Sequence, residues 1–183
     1  MKKIMLILAA LLAVILTISA CSLVPAQEAA TPEATTEATA APEMTEAEDG
    51  TLEFSLTTLT GDTLDQSVFT DNKLIMVNYW ATWCGPCVGE IPDLIKISKD
   101  YADKGFVIVG VLTGDDDIEG AKRFIDVQGM SYPVVMPEAI FLDYSTDIYA
   151  IPTTKFFDST GNQVGEAVVG ARSYDDWAGL IDL

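Results

Sequence analysis

The chain has 183 residues, of which 49% are hydrophobic and 21% are charged, a composition that fits one globular domain. Its formal net charge is -18, from ten Lys+Arg against 28 Asp+Glu, which excludes nucleic acid as a partner because an acidic surface repels phosphate. The chain contains no histidine, which excludes Ser-His and Cys-His nucleophile pairs, histidine-ligated haem and Cys2His2 zinc sites.

Residues 1–20 have the pattern of an export signal, with two lysines followed by an uncharged apolar run from Ile4 to Ile18. At about 1.5 Å per residue this run makes a helix of roughly 22 Å, short of the ~30 Å hydrocarbon core, so a signal peptide is favoured over a spanning helix. The residues Ile18-Ser19-Ala20-Cys21 resemble a bacterial lipobox, which predicts lipidation of Cys21 and anchoring on the outer side of the cell membrane. The alternative is cleavage near Ala20 that leaves Cys21 unmodified.

Residues 21–50 are predicted to be the lipidated cysteine and a disordered linker. Residues 22–50 consist mostly of Ala, Thr, Glu and Pro, with seven acidic and no basic residues. So few large apolar side chains cannot offset the entropy that is lost on ordering. The linker would reach about 30 Å as a flexible coil and about 100 Å when fully extended, so it would tether the domain close to the membrane.

Residues 51–183 are predicted to form the folded domain. Apolar and polar residues alternate over Leu52–Leu56 and a turn follows at Gly61-Asp62, so we expect an N-terminal β-hairpin. Two nearly continuous apolar runs, Leu74–Trp80 and Phe106–Leu112, have the pattern of strands that are buried on both faces.

Helical patterns alternate with these strands. The first extends to about Tyr101, and the second runs from Asp117 to Val127 and is ended by Gly129. Two more strands and a final helix are predicted over Thr153–Phe157, Gln163–Val169 and, with Ser173 as its cap, through Ile181. Elements in this order predict an α/β fold in which helices flank a central mixed β-sheet.

Two cysteines lie three residues apart in the sequence Cys84-Gly85-Pro86-Cys87, directly after a buried strand. If a helix begins there, positions i and i+3 lie on one side of it, about 5–6 Å apart, which suits a disulfide. Pro86 fits the first helical turn, and the free N–H groups at the helix start lower the pKa of the Cys84 thiol from its usual value of about 8.5. This geometry makes Cys84 the nucleophile and Cys87 the resolving cysteine of a thiol–disulfide exchange. Half of a zinc site and a purely structural disulfide are the alternatives.

The segment Trp80-Ala81-Thr82-Trp83-Cys84-Gly85-Pro86-Cys87, followed by Glu90 and Pro92, resembles the thioredoxin superfamily. Within that superfamily the pattern is similar to the TlpA/ResA-type membrane-anchored thiol–disulfide oxidoreductases. The resemblance covers roughly residues 51–183. It implies a thioredoxin-like fold that is extended by an N-terminal β-hairpin.

The resemblance also implies a cis-proline loop opposite the disulfide, which Ile151-Pro152-Thr153 matches. A cis bond at Pro152 would place the Ile151 backbone beside Cys84, where it could pair with an extended substrate peptide. The alternative is a trans proline that starts a strand. The residues expected to bind substrate are Trp83, Gly85, Pro86, Ile151, Pro152 and Thr153.

Glu90 lies one helical turn after Cys87, and in the TlpA/ResA type this glutamate is at the active site. We predict that it carries a proton for Cys87, with its pKa raised by burial. The alternative is a solvated helix carboxylate. Pro92 falls where the family's first helix is kinked, and Asn78 occupies the place where ordinary thioredoxins bury an aspartate.

Other residues near the motif have simpler interpretations. Trp80 is expected in the core, whereas Trp83 would form an apolar docking surface beside the cysteines. The run Asp115–Asp117 is interpreted as a solvated loop and an acidic helix start, because it lacks the ligand spacing of a calcium loop. The related peroxiredoxin pattern is excluded, since it would need Pro at Val77 and Thr at Ala81.

The sequence therefore predicts an exported, lipid-anchored disulfide reductase with no cofactor beyond its own cysteines. The resemblance implies a membrane protein as electron donor and exported disulfide-containing proteins as clients, such as apocytochrome c or methionine sulfoxide reductases. Gly85-Pro86 matches the reducing end of a range of potentials from about −270 to about −120 mV, so reduction is favoured over oxidation or isomerisation. A non-catalytic lipoprotein that binds a partner or metal and a copper-handling protein are the alternatives from other classes. The region from Ser131 to Asp147 is hard to align with the family, and Tyr144 to Ala150 lacks the Gly that often precedes its cis-proline loop, so the local structure of residues 131–150 is left open.

Overall fold

The computed structural model describes residues 45–46 and 52–182. The predicted signal peptide of residues 1–20, the lipidation of Cys21 and most of the predicted linker lie outside the described residues. The described part of the linker range is a two-residue strand, β1 (Thr45–Glu46), which pairs antiparallel with β2 (Leu52–Glu53).

An antiparallel hairpin opens the domain, as the alternating pattern predicted. It consists of β3 (Ser55–Thr57) and β4 (Thr63–Asp65), with Leu56 opposite Leu64. Both of these leucines are buried, because alternation along a strand turns every second side chain toward the core. The short helix α1 (Ser67–Thr70) follows and connects the hairpin to the main sheet.

A five-stranded mixed sheet forms the centre of the domain. β5 (Leu74–Trp80) and β6 (Phe106–Leu112), the two apolar runs, are parallel neighbours, and β7 (Val134–Val135) adds in parallel to β6. On the other side, β8 (Thr153–Phe157) pairs antiparallel with β5, and β9 (Gln163–Val169) pairs antiparallel with β8. The strand order is therefore β7-β6-β5-β8-β9, with the most apolar strands in the middle, where both faces are covered.

The three predicted helices end within one residue of the predicted positions, whereas the short helices α1 and α4 were not predicted. The helices after α1 are α2 (Gly85–Tyr101), a 3-10 turn (Ala102–Lys104), α3 (Ile118–Gln128), α4 (Ile140–Asp143) and α5 (Tyr174–Ile181). The Asp117 side chain caps α3 by accepting the Gly120 N–H at 2.8 Å, and Gly129 ends that helix in the left-handed conformation that glycine tolerates best. Ser173 caps α5 in a capping box with Asp176. None of the described helices combines the length and the hydropathy that a bilayer crossing requires.

The sheet divides the apolar interior into two cores. Met76 and Trp80 of β5 pack on one face with residues of α2, α3 and α5. The alternate residues Ile75, Val77 and Tyr79 pack on the other face with the hairpin, α1 and α4. Asn78 shares the face of Met76 and Trp80 because side chains alternate along a strand, so it points toward α2. This confirms the predicted α/β architecture with helices on both faces of a mixed sheet and a hairpin at its N-terminal end.

Candidate active site

Cys84 and Cys87 form a disulfide at the start of α2, with their Cα atoms 5.2 Å apart. Cys84 is the N-cap residue in an extended backbone conformation, and its Sγ accepts the Cys87 N–H at 3.3 Å. Pro86 occupies the first turn, where its missing N–H leaves no helical hydrogen bond unmade. β5 ends at Trp80, so the central strand of the sheet fixes the place where this helix begins.

The two sulfur atoms have different surroundings. Cys84 is 5% exposed and Cys87 is 1% exposed, so a substrate in solution meets Cys84 first. The N–H groups and the positive dipole end of α2 face Cys84, and after reduction they favour its thiolate over its thiol. Gly85 and Pro86 are both exposed between the cysteines and leave the approach to Cys84 open.

A cis-proline loop lies directly opposite Cys84. The Ile151–Pro152 peptide bond is cis, as the resemblance implied, and the Ile151 carbonyl oxygen is 3.7 Å from the Cys84 Sγ. The loop is held from both sides, since the Pro152 carbonyl accepts the Gly170 N–H at 2.8 Å and the Thr153 hydroxyl donates to the Ala150 carbonyl at 2.7 Å. Thr153 is buried, so its side chain holds the loop, whereas the backbone of Ile151 is the part that lies beside the disulfide.

A buried polar cluster lies behind the disulfide, one helical turn along α2. Glu90 is 3% exposed, and its Oε1 accepts a hydrogen bond from Asn78 Nδ2 at 3.0 Å. The same Asn78 nitrogen donates to Thr154 Oγ1 at 3.0 Å, across the antiparallel pair of β5 and β8. The backbone N–H of Arg172, in the segment before α5, donates to Glu90 Oε2 at 3.1 Å. The carboxyl group of α2 therefore has direct partners in β5 and in the segment before α5, and β8 holds the Asn78 amide that is one of them.

Burial raises the pKa of Glu90, and the hydrogen bonds from Arg172 and Asn78 oppose the rise by favouring the charged form. The alternative of a solvated helix carboxylate is wrong, because this side chain is enclosed between α2 and the sheet. Asn78 carries no charge, unlike the aspartate of ordinary thioredoxins, so Glu90 is the acidic group of this cluster. Glu90 follows Cys87 by one helical turn, so the carboxyl group whose pKa burial raises lies on the same helix as both cysteines.

The loop after β6 clamps the residues that precede the disulfide. Asp115 Oδ2 accepts the Thr82 N–H at 2.8 Å and the Thr82 hydroxyl at 2.6 Å. Trp83 is 64% exposed, and its indole N–H donates to the Gly114 carbonyl at 2.7 Å. Trp80 is 1% exposed, so the two tryptophans divide between core and surface as predicted.

The role of Asp115 was missing from the sequence interpretation, which treated the acidic run as solvated loop and helix start. Asp117 fits that interpretation as the α3 cap, but Asp115 is partly buried against Thr82. The carboxyl ends of parallel neighbours β5 and β6 lie at one edge of the sheet, and this signal could have placed the two loops together. Within residues 52–182 no three His, Cys, Asp or Glu side chains converge on a metal-binding position.

Comparison with known proteins agrees with this geometry. The Redoxin family model matches residues 36–173. The thioredoxin-like protein YneN of Bacillus subtilis is 34% identical over 135 residues, which is 72% of this chain and 76% of that protein. The thiol-disulfide oxidoreductase ResA of Oceanobacillus iheyensis is 31% identical over 112 residues, which is 61% of this chain and 57% of that protein. The crystal structure of a thiol:disulfide interchange protein of the thioredoxin family from Chlorobium tepidum has a TM-score of 0.63 and 31% identity, and the match covers 78% of this chain and 96% of that one.

The matched region contains the whole site described above, from the disulfide through the cis-proline loop to Arg172. The fold, the cysteine pair and the relatives agree on one enzymatic chemistry, thiol–disulfide exchange. The chain therefore belongs to the Redoxin family, and within the thioredoxin superfamily it is a thiol–disulfide oxidoreductase of the ResA/TlpA type.

Proposed function

We propose that this oxidoreductase is anchored by lipid on the outer side of the cell membrane and reduces disulfides of exported proteins. The observation that carries the redox part is the Cys84–Cys87 disulfide at the start of α2, with the Ile151 carbonyl 3.7 Å from the Cys84 Sγ. The pair itself is the redox group, so the proposal requires no further cofactor. The anchoring part depends on the lipobox-like sequence that ends at Cys21.

The proposed cycle begins with the reduced pair. The Cys84 thiolate attacks one sulfur of a client disulfide, forms a mixed disulfide and releases the other client sulfur as a thiolate. The Cys87 thiolate then attacks the Cys84 Sγ and releases the second client sulfur, so two electrons pass to the client and the Cys84–Cys87 disulfide forms. A membrane protein that carries a dithiol returns the pair to the reduced state by the same two exchanges in reverse.

Glu90 supplies the proton control in this cycle. Cys87 has to lose its proton before it can attack, and Glu90 lies one turn along the same helix in a buried position. Because burial raises the pKa of Glu90, the carboxyl group can take up and return a proton at a pH nearer to neutral than an exposed glutamate. While Glu90 is ionised, its negative charge disfavours a thiolate at Cys87 and so keeps the resolving cysteine from attacking too early.

The direction of electron flow is tested by the redox potential of the Cys84–Cys87 pair, equilibrated against glutathione or dithiothreitol buffers. Related proteins range from about −270 mV for reductants to about −120 mV for oxidants, which corresponds to roughly 7 kcal/mol. We expect a potential in the reducing half of this range. A value near the oxidising end would overturn the assignment as a reductase.

Activity, clients and anchoring need separate experiments. Reduction of insulin by the dithiothreitol-reduced protein, with Cys84→Ser as inactive control, tests the exchange chemistry itself. Cys87→Ser leaves the mixed disulfide unresolved, so it should trap clients such as apocytochrome c or a methionine sulfoxide reductase for identification by mass spectrometry. Cys21→Ser should release the protein from the membrane fraction, whereas retention of this variant would refute the lipid anchor.

A further inference from the structure

A cleft of about 360 Å³ opens beside the cis-proline loop. Its lining includes Tyr149, which lies just before the loop, Thr153 at the end of the loop, and Glu166 and Val169 of β9. Tyr149 is 87% exposed, so its ring stands at the rim of the cleft with its face available to a ligand. The thiol–disulfide chemistry described above uses none of these side chains to move electrons or protons.

The charges in the cleft are unequal. Lys155 is buried, and its Nζ donates to the Asp147 carboxylate at 2.5 Å and to the Tyr144 carbonyl at 2.9 Å, so its charge is compensated inside the protein. Glu166 is exposed, and it takes part in none of the ion pairs found among residues 52–182. The Glu166 carboxylate is therefore the uncompensated charge of the cleft, and it favours a cationic ligand.

The same short loop joins the cleft to the disulfide. The Ile151 carbonyl lies 3.7 Å from the Cys84 Sγ, and Thr153, two residues later, lines the cleft. Two residues span at most about 7 Å, so a client chain that lies extended along Ile151 can place a side chain a few residues from its cysteine in the cleft. Thr154 points toward Asn78 and α2, so the alternate side chains of β8, Thr153 and Lys155, face the opposite side of the sheet.

We propose that this cleft is a subsite for a basic side chain, arginine above all, that follows or precedes the reactive cysteine of the client. The proposal rests on the proposed function, because only a client held at Cys84 brings such a side chain to this place. The guanidinium group of the client arginine stacks on the Tyr149 ring and pairs its charge with Glu166. The aliphatic part of the same arginine side chain packs against Val169. Residues 51–183 contain 21 acidic and eight basic residues, so the whole domain also attracts a basic peptide weakly, wherever its arginine lies. The experiment has to separate this general attraction from the effect of Glu166.

The test uses synthetic peptides with one cysteine in a mixed disulfide with thionitrobenzoate, and with Arg, Ala or Glu placed at each of the four positions on either side. The reduced full chain, kept in detergent, is mixed with each peptide, and the absorbance of released thionitrobenzoate gives the second-order rate constant. At the preferred position we expect the arginine peptide to react about three- to fivefold faster than the alanine peptide, the upper part of the range of a solvent-exposed ion pair. Glu166→Gln should bring this ratio close to one, and Glu166→Lys should make the glutamate peptide the faster one.

Asp126→Asn is the matched control, because Asp126 is exposed near the C-terminal end of α3 and its replacement changes the net charge by the same amount. This variant should keep the arginine preference of the wild type. A wild-type ratio near one at every position would overturn the subsite, and so would an equal loss of preference in Glu166→Gln and Asp126→Asn, which would assign the effect to overall charge. The alanine peptide reports on the proposed function alone, since a wild-type protein that fails to react even with that peptide performs no exchange.

Discussion

Replacing Asn78 by alanine is expected to destabilise the oxidised protein by about 3 kcal/mol at a pH where Glu90 is ionised. Asn78 is 2% exposed, and its Nδ2 donates to Glu90 Oε1 and Thr154 Oγ1, each at 3.0 Å. A buried hydrogen bond between neutral groups contributes about 1 kcal/mol and one to a charged group about 2 kcal/mol, which gives the sum. Urea unfolding of the wild type and the variant measures the loss.

The part of this loss that comes from Glu90 depends on its proton. The bond from Asn78 lowers the pKa of Glu90 against the larger effect of burial, so it stabilises the ionised carboxyl more than the neutral one. The loss should therefore be largest above the folded pKa of Glu90 and should shrink as the pH falls below it. Asn72→Ala is the matched control, because Asn72 Nδ2 donates to the neutral Val68 carbonyl at 3.0 Å. The decrease in the free energy of unfolding that this variant causes should not vary with pH.

Two results would refute this reasoning. One is a loss that stays below about 1 kcal/mol for Asn78→Ala at every pH, since that would mean that the two bonds contribute almost nothing in solution. The other is an equal loss in the wild-type and Glu90→Gln backgrounds together with no dependence on pH. A double-mutant cycle of Asn78→Ala and Glu90→Gln isolates the contribution of the pair.

Three further predictions concern Glu90, the clamp on Trp83 and the last helix. Because burial raises the folded pKa of Glu90 above its ordinary 4.5, its contribution to the free energy of unfolding is fully present below that pH and is lost as pH rises through the folded pKa. Glu90→Gln should remove this slope in urea unfolding across pH, and an unchanged slope contradicts the assignment. Asp115→Ala should raise acrylamide quenching of the exposed Trp83, while Asp115→Asn, which keeps an acceptor, should not; equal quenching in both variants argues against the clamp. Ser173→Ala should lower the stability by about 1 kcal/mol through loss of the α5 cap, and an unchanged thermal midpoint would show that the cap contributes nothing.

Much of the fold follows from the sequence because its strongest signals are local. The apolar run of Leu74–Trp80 is interrupted only by Asn78 and leaves no solvent-facing side, which predicts a central strand. Asp117 and Gly129 mark the two ends of α3 by capping chemistry that depends on neighbouring residues alone. The cysteine pair is also a local signal, since the i, i+3 spacing on a helix brings the two sulfurs together wherever that helix is placed.

The rest of the site depends on contacts between distant segments, for which the sequence holds no local signal. Asp115 and Thr82 are 33 residues apart, and only the parallel pairing of β5 and β6 brings their loops together. The partners of Glu90 are harder still to predict from the sequence, because Arg172 contributes a backbone N–H, which every residue other than proline possesses. The segment from Ser131 to Asp147 contains only β7 and α4, and such short elements leave too little periodicity to detect.

The cysteine pair and the buried cluster around Glu90 differ in how far along the sequence they are encoded. A peptide that covers β5 and α2 would keep both sulfurs and their spacing, so it could still cycle between dithiol and disulfide. It would lack Thr154 and the Arg172 amide, which lie 76 residues from Asn78 and 82 residues from Glu90 respectively. Thiol–disulfide exchange is thus encoded in a short stretch of chain, whereas the buried environment of the Glu90 carboxyl requires the complete tertiary structure.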